Sequence, residues 1–395
     1  MDLFNPEHDL ALANFSPHYT PPASAASMAA ELALLPLWYG GGGGVVAEGE
    51  ENRIYLEAVG KQFSLSSSLI RYAEMSSLIN EPIIPWGWNP ALRKQLLSCG
   101  VQAERLPSMD ELLRLRDYSG RQHAVRLLRE LQAEEPSFCG ESHYFTSLDE
   151  LLAYLSSFPG DKLLKMPLSG SGKGLIRILG EITDKQTDWC RRVIRGQGGV
   201  VAEPLLHKAQ DFAMEFCLEQ GKTRFTGYSL FRAAASGAYL GNKLLSDDRI
   251  EERLSAYIPV GRLCRLRDAL VEKLSAYFPL YTGYAGVDMM ICETGAGYRV
   301  QPCVEINMRM NMGMVARLFH DRFMAEEGEG SFAVDYFNKP GNALLFHRKM
   351  QKVHPLAVQH GRIISGYLAL TPVRETTRYA AYVVVKAVRS GSAGS

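Results

Sequence analysis

The sequence predicts a mixed α/β (α+β) chain organised as two or three domains. Three observations lead there. The chain has 395 residues, and domains run to ~150 residues each. Its composition, 46% apolar and 22% charged, is that of an ordinary globular protein able to bury a large core without disulfide staples. Its texture also changes along the way: helix-opening signals dominate the first part, and strand–turn–strand alternation dominates after Leu163.

Charge and cysteine usage narrow the function classes. Lys plus Arg is 43 and Asp plus Glu is 43, a formal net charge of zero. That removes the electrostatic argument for a nucleic-acid or membrane partner, and neither is expected. Asp2 opens the chain without a basic-then-apolar segment, so no secretory signal is expected. The longest apolar stretches, Leu32 to Tyr39 (broken by Pro36) and Tyr379 to Val385, fall short of the ~20 residues of a membrane span. The 7 cysteines are scattered without a Cys-x-x-Cys pair, which argues against a disulfide framework or zinc knuckle and for a reducing, cytoplasmic setting.

Taken in order, Asp2 to Phe4 reads as a short strand running into Asn5-Pro6-Glu7-His8-Asp9. A small-residue helix begins at Ser24, and Ser108-x-x-Glu111 is a capping box that opens another. Gly40 to Gly44 reads as a flexible turn. Ser147-x-x-Glu150 opens a helix over Leu148 to Leu155. Leu163 to Met166 and Leu175 to Leu179 flank Ser169-Gly170-Ser171-Gly172-Lys173-Gly174, a hairpin with a glycine-rich loop. Val200 to Ala202, Asp211 to Cys217 and Thr223 to Phe231 read as strands, and Gly261 to Phe278 as a helix. Tyr284 to Cys292 and Tyr298 to Ile306 form a second hairpin, and Tyr379 to Val385 a last buried strand.

The chemistry concentrates in two places. The loop is neither a P-loop, since Gly174 follows Lys173 where Ser or Thr is needed, nor a dinucleotide fingerprint, since a strand follows it. Glycines between two strands do let backbone N–H groups close over an anion. Lys165, in an otherwise apolar strand, is costly to bury unless an anion meets it, or else it faces solvent on an edge. Farther on, Val304-Glu305-Ile306-Asn307-Met308-Arg309 places Glu305, Asn307 and Arg309 on one strand face. A carboxylate beside an amide oxygen suits Mg²⁺, and an arginine there can neutralise a transferring phosphoryl group. Asp288, flanked by Val287 and Met289, lies on the preceding strand at a depth that joins them. The alternative is a solvated polar face. Glu203-Pro204-Leu205 leaves a buried strand either as an ordinary turn or as a hinge whose backbone reads an adenine edge.

In chain order these pieces resemble the ATP-grasp superfamily over roughly residues 115 to 320. The Glu305 to Arg309 run is the most specific part and is similar to the metal strand of the biotin carboxylase and carbamoyl-phosphate synthase branch. The resemblance implies an N-terminal α/β domain (1–115), a small lobe with the glycine-rich loop (116–204), a large lobe with the metal site and C-terminal strands (205–389), and a flexible tail (390–395). It implies ATP held between two antiparallel sheets and two Mg²⁺ ions, with Mn²⁺ as a substitute. Lys165 would contact phosphates under the loop Ser169, Gly170, Ser171, Gly172, Lys173 and Gly174. Glu203 and Leu205 would sit at the adenine, Asp211 at the ribose, and Arg121 would be a second basic contact. Asp288, Glu305 and Asn307 would hold metal, with Lys165 and Arg309 catalytic. The implied activity is a ligase that activates a small-molecule carboxylate as an acyl phosphate for an amine. A small-molecule kinase and a non-catalytic ATP-binding regulator are the alternatives. The D-alanine–D-alanine ligase branch has an arginine where this chain has Gly286, and a shorter hairpin follows there, so the substrate class stays open. In this family the loop after the first strand lines the substrate side; here it holds Glu7, His8 and Asp9, with Asn5 and Asp9 alternatively capping a helix. Trp86 and Trp88 either line a pocket or pack.

Overall fold

A computed structural model of the chain describes residues 1–158, 160–170, 174–234, 237, 239–295 and 297–387. Ser171, Gly172 and Lys173 of the glycine-rich loop and the tail 390–395 lie outside the described residues.

The chain opens on a four-stranded parallel sheet of β1 (Asp2–Leu3), β2 (Val45–Val46), β3 (Leu69–Ile70) and β4 (Ile84–Pro85), in the order β3-β2-β1-β4. Its two-residue strands are too short to show an alternating pattern. The helices around it are α1 (His8–Asn14), α2 (Ala23–Glu31), α3 (Glu50–Phe63) and α4 (Pro90–Ser98). Asn89 caps α4 by accepting from the Leu92 amide, with Pro90 at the first helical position. Two helices bridge to the next sheet. α5 (Met109–Tyr118) starts at the Ser108–Glu111 capping box, which forms in both directions. α6 (Arg121–Glu134) buries Ala124, Leu127, Leu128 and Leu131, one helical stripe, in a core shared with Phe212, Met214 and Ile291.

The small antiparallel sheet contains β5 (His143–Phe145), β6 (Lys162–Lys165), β7 (Leu175–Ile178) and β8 (Val200–Pro204), ordered β5-β8-β6-β7. Helices α7 (Leu148–Ser157) and α8 (Asp184–Gln197) cover it, and Leu151, Leu164, Ile178, Val193 and Val200 form its core. Only the serine half of the capping box expected at α7 forms, with the Ser147 hydroxyl accepting from the Glu150 amide.

The large antiparallel sheet pairs β9 (Lys208–Glu219) and β10 (Lys222–Ser229) with a later hairpin. The stretch expected as one strand from Thr223 to Phe231 divides at Leu230. Its second part, β11 (Phe231–Ala233), joins β12 (Tyr239–Leu244) in another sheet. The break has a local cause: the ladder shifts register at Phe225/Gly227, and the Leu230 carbonyl is taken by the Lys243 amide. After α9 (Asp247–Ser255) and α10 (Val260–Tyr277) comes the hairpin β13 (Gly283–Thr294) and β14 (Gly297–Asn307), completing the order β10-β9-β13-β14. The chain then crosses through α11 (Met312–Phe323), β15 (Gly330–Tyr336), α12 (Asn342–Val353), β16 (Ala357–Gln359), β17 (Arg362–Ala369) and β18 (Tyr379–Val385). These last four strands join β11 and β12 in a six-stranded sheet ordered β11-β12-β15-β18-β17-β16. One core joins this sheet to the N-terminal region: Trp38, Phe63, Phe319, Phe323, Phe332 and Val383 pack together, and the Trp38 indole donates to the Leu370 carbonyl at 2.6 Å. That core also contains Phe4, just after β1, and Met310, just past the end of β14.

Candidate active site

Lys165 sits on β6, an interior strand, and is not an edge lysine. Antiparallel pairing puts Leu163 opposite Glu203 and Lys165 opposite Val201, so Lys165 and Glu203 are diagonal neighbours on one face. Lys165 Nζ lies 2.6 Å from Glu203 Oε2, with the two side chains only 5% and 9% exposed. Ser142 Oγ donates to the other Glu203 oxygen at 2.9 Å.

Arg121, the first residue of α6, bridges from the segment after β6 to β14. Its Nη1 donates to the Met166 carbonyl at 2.5 Å and to Ser169 Oγ at 2.8 Å, at the root of the glycine loop. Its Nη2 donates to Glu305 Oε1 at 2.7 Å on β14. The loop closes where the Met166 amide donates to the Gly174 carbonyl at 2.9 Å.

On the large lobe, β13–β14 pairing sets Asp288 opposite Glu305 and Gly286 opposite Asn307. Burial and the neighbouring Glu305 push the Asp288 carboxyl up to about 7, partly offset by Asn307. Asp211 lies on β9 and is paired with Lys208 at 2.5 Å; burial still raises its carboxyl. Between the small and large sheets a cavity of ≈ 820 Å³ opens, and Lys165, Arg121, Glu203, Leu205, Asp211, Asp288 and Glu305 all line it. One detail differs from the expected hinge. The Leu205 amide donates to the Asp161 carbonyl at 2.9 Å, because the β6–β8 ladder runs past Pro204. Leu206 also lines the cavity, and its amide makes no backbone hydrogen bond among the described residues.

Arg309 departs more. β14 ends at Asn307, and Arg309, two residues beyond, forks onto Asp9: Nε and Nη2 each donate to an Asp9 oxygen at 2.7 Å. Burial pushes the Asp9 carboxyl up, but Arg309 outweighs it and leaves Asp9 below the ordinary carboxylate range. Asp9 therefore does not cap a helix. α1 starts after Glu7 with no side-chain cap, and Asn5 instead bonds the Gly87 backbone. Gly170 lies so close to Asp9 that a Cβ has no room there. His8 is buried against Gly87, and burial pushes its imidazole down to about 4. Trp86 lines a cavity together with Asp288, Glu305 and Asn307, whereas Trp88 packs on the N-terminal core.

Sequence reasoning missed Glu215 and Asn311. Glu215, on β9, is fully buried and accepts from Asn311 Nδ2 at 2.8 Å; burial pushes it up to about 8. A Cβ on Gly286 would stand 2.7 Å from Glu215 Oε2 and 2.6 Å from Asn311 Nδ2, which is why an arginine has no place there. The signal was available: Asp211, Ala213 and Glu215 share a strand face opposite Phe212, Met214 and Phe216, and Asn311 precedes an apolar helix that it caps.

No set of three His, Cys, Asp or Glu side chains among the described residues converges on one metal position. The two carboxylates and one amide of Asp288, Glu305 and Asn307 still fit a cation that shares its oxygen ligands with phosphates. A buried carboxyl pushed up by a like neighbour is what such a cation relieves. Among the described residues no helix is long and apolar enough to cross a membrane.

No family model matches the chain, and no curated protein matches it in sequence. Solved structures do match in three dimensions. A biotin carboxylase–β,γ-ATP complex from Campylobacter jejuni is similar over 98% of this chain and 87% of its own, with a TM-score of 0.54 and 11% identity. An N5-carboxyaminoimidazole synthetase from Staphylococcus aureus complexed with ADP matches over 88% of this chain and 94% of its own, at TM-score 0.49 and 10% identity. At such identity the first likeness speaks to architecture alone. The chain has the ATP-grasp fold.

Proposed function

We propose that the chain is an ATP-dependent ligase that activates a carboxylate and passes it to an amine, releasing ADP and phosphate. The observation that carries the reading is the ≈ 820 Å³ cavity between two antiparallel sheets. One wall supplies a buried lysine–glutamate pair and the other an acidic pair with an amide beside it.

In this reading Lys165 and Arg121 hold the triphosphate, Glu203 and the Leu206 amide face the adenine, and Asp211 takes the ribose. Asp288, Glu305 and Asn307 would hold Mg²⁺, in two ions, which when bound offsets charge on the phosphates. Asp9 fixes the plane of Arg309 so that the guanidinium meets the reacting acid at the end of β14. A carboxylate oxygen bonds to the γ-phosphorus as the bond to the β-bridging oxygen breaks, and that electron pair leaves with ADP. The amine nitrogen then bonds to the acyl carbon, the carbon–oxygen bond to phosphate breaks with its electron pair, and nitrogen loses a proton. The work of the chain is positioning and charge neutralisation.

The test is ADP release screened across carboxylates with and without amines. The ligase reading expects release to depend on both partners. Release driven by one small molecule and indifferent to any amine would make the chain a kinase. Tight ATP binding without release under any pairing would make it a regulator.

A further inference from the structure

On the large sheet three residues form one row across three strands. Met290 of β13 stands opposite Asp211 of β9 on one side and opposite Gln301 of β14 on the other, and all three line the ≈ 820 Å³ cavity. Gln301 is 1% exposed, and its side-chain amide makes no hydrogen bond among the described residues. Neither its Oε1 nor its Nε2 is fully enclosed, and the residue borders this cavity. Its other side is closed by the segment after α6. The Cys139 amide donates to the Val300 carbonyl at 2.8 Å, and Gln132 Nε2 donates to the Gly140 carbonyl at 2.7 Å. Gly140 holds φ +103°, and a Cβ there would stand 2.7 Å from Gln301 Cγ, so only glycine leaves the side chain its place.

A buried amide with both ends unpaired is costly, and what relieves it offers a donor and an acceptor side by side. Neighbouring strands lie ~4.8 Å apart, so Gln301 stands ~10 Å from Asp211 along the row. That is about the reach of a nucleoside from its ribose hydroxyls to the far edge of its base. With Asp211 at the ribose, Met290 lies under the base and the Gln301 amide meets that edge. With the hinge wall taking N1 and one N6 hydrogen, the other N6 hydrogen and N7 remain. An amide matches them, Oε1 accepting from N6 and Nε2 donating to N7. Guanine presents two acceptors there, O6 and N7, which neither orientation of the amide satisfies. We propose that Gln301 reads the N6–N7 edge of adenine and sets a preference for ATP over GTP. The proposal rests on the nucleotide site of the ligase reading and adds the residue that chooses the base.

Calorimetric titration of the full-length chain in Mg²⁺ with ADP, 7-deaza-ADP and GDP tests it, since 7-deaza-ADP lacks the N7 acceptor. The wild type should bind 7-deaza-ADP about tenfold more weakly than ADP, and GDP about 100-fold more weakly. Gln301→Met should bind ADP and 7-deaza-ADP equally. Gln301→Glu, which has no donor, should favour 7-deaza-ADP over ADP, with circular dichroism melts showing that both variants fold. Equal binding of ADP and 7-deaza-ADP by the wild type, or of ADP and GDP, overturns the proposal, and this comparison needs no variant. A penalty for the missing N7 that survives in Gln301→Met, or a preference for ADP that survives in Gln301→Glu, overturns it as well. Failure of the wild type to bind ADP overturns the nucleotide site itself, whereas ADP binding with any of the preceding failures overturns only the assignment of Gln301.

Discussion

Replacing Lys165 by methionine should destabilise the small lobe and remove nucleotide binding, and a double variant should separate the two effects. The pair it breaks is 2.6 Å long, with side chains 5% and 9% exposed. Methionine fills most of the lysine volume but leaves the Glu203 carboxylate buried with Ser142 as its hydrogen-bond partner at 2.9 Å. Stranding one partner of a buried ion pair costs ~3–5 kcal/mol, whereas replacing both by apolar groups is often neutral. Lys165→Met and Glu203→Leu should therefore each lose about that much stability, and the double variant should recover most of it. Chemical denaturation followed by circular dichroism gives the free energies, and hydrogen exchange over residues 143–204 locates the loss. The double variant should fold and still bind ATP at least ~100-fold more weakly, about 2.7 kcal/mol. Single variants that lose under ~1 kcal/mol, or a double variant no better than the singles, would refute the argument from burial.

Other outcomes follow from the same geometry. Glu305→Gln keeps an acceptor for Arg121 but halves the charge of the acidic pair, so kcat should drop ~10²-fold with a higher Mg²⁺ requirement, read by Mg²⁺ titration of ADP release. Asp288 has its carboxyl pushed up from 3.8 to about 7. The folded metal-free chain then keeps a proton that the unfolded chain has lost, so stability should decline as pH rises from 3.8 to 7, and Mg²⁺ affinity should rise over the upper part of that window. Melting temperatures with and without Mg²⁺ across pH check both signs. Arg309→Lys keeps the charge but loses the fork onto Asp9, worth ~1.5–3 kcal/mol as a charge-assisted contact; kcat should fall ~10–100-fold while ATP affinity holds.

How much of this was legible in the sequence depends on how locally each feature is encoded. The strand through Glu305 and Asn307, the strand holding Lys165 and both hairpins could be read because strand period two and turn glycines act over a few residues, whereas Arg309 falls two residues past the end of β14. The parallel N-terminal sheet could not, since strands of two residues carry no period. Asp9 looked like a helix cap because its partner, Arg309, is 300 positions away. Leu205 looked like a free hinge donor because the Asp161 carbonyl that takes its amide reaches it only through the β6–β8 ladder. Arg121 was expected at the nucleotide, and it lines the cavity between the two sheets, but its bonds to Ser169 and Glu305 are tertiary facts. Glu215 was readable from its strand face and overlooked, since a glutamate among phenylalanines and methionines invites the assumption that it faces solvent.

The central claim, carboxylate activation through an acyl phosphate, is tested most directly by isotope transfer. The acid found in the ADP-release screen is labelled with oxygen-18 in its carboxylate and run to completion with its amine and ATP. Mass spectrometry of the released phosphate should find one labelled oxygen per phosphate, with ADP as the nucleotide product. Unlabelled phosphate during productive coupling, or AMP and pyrophosphate as products, would contradict the account.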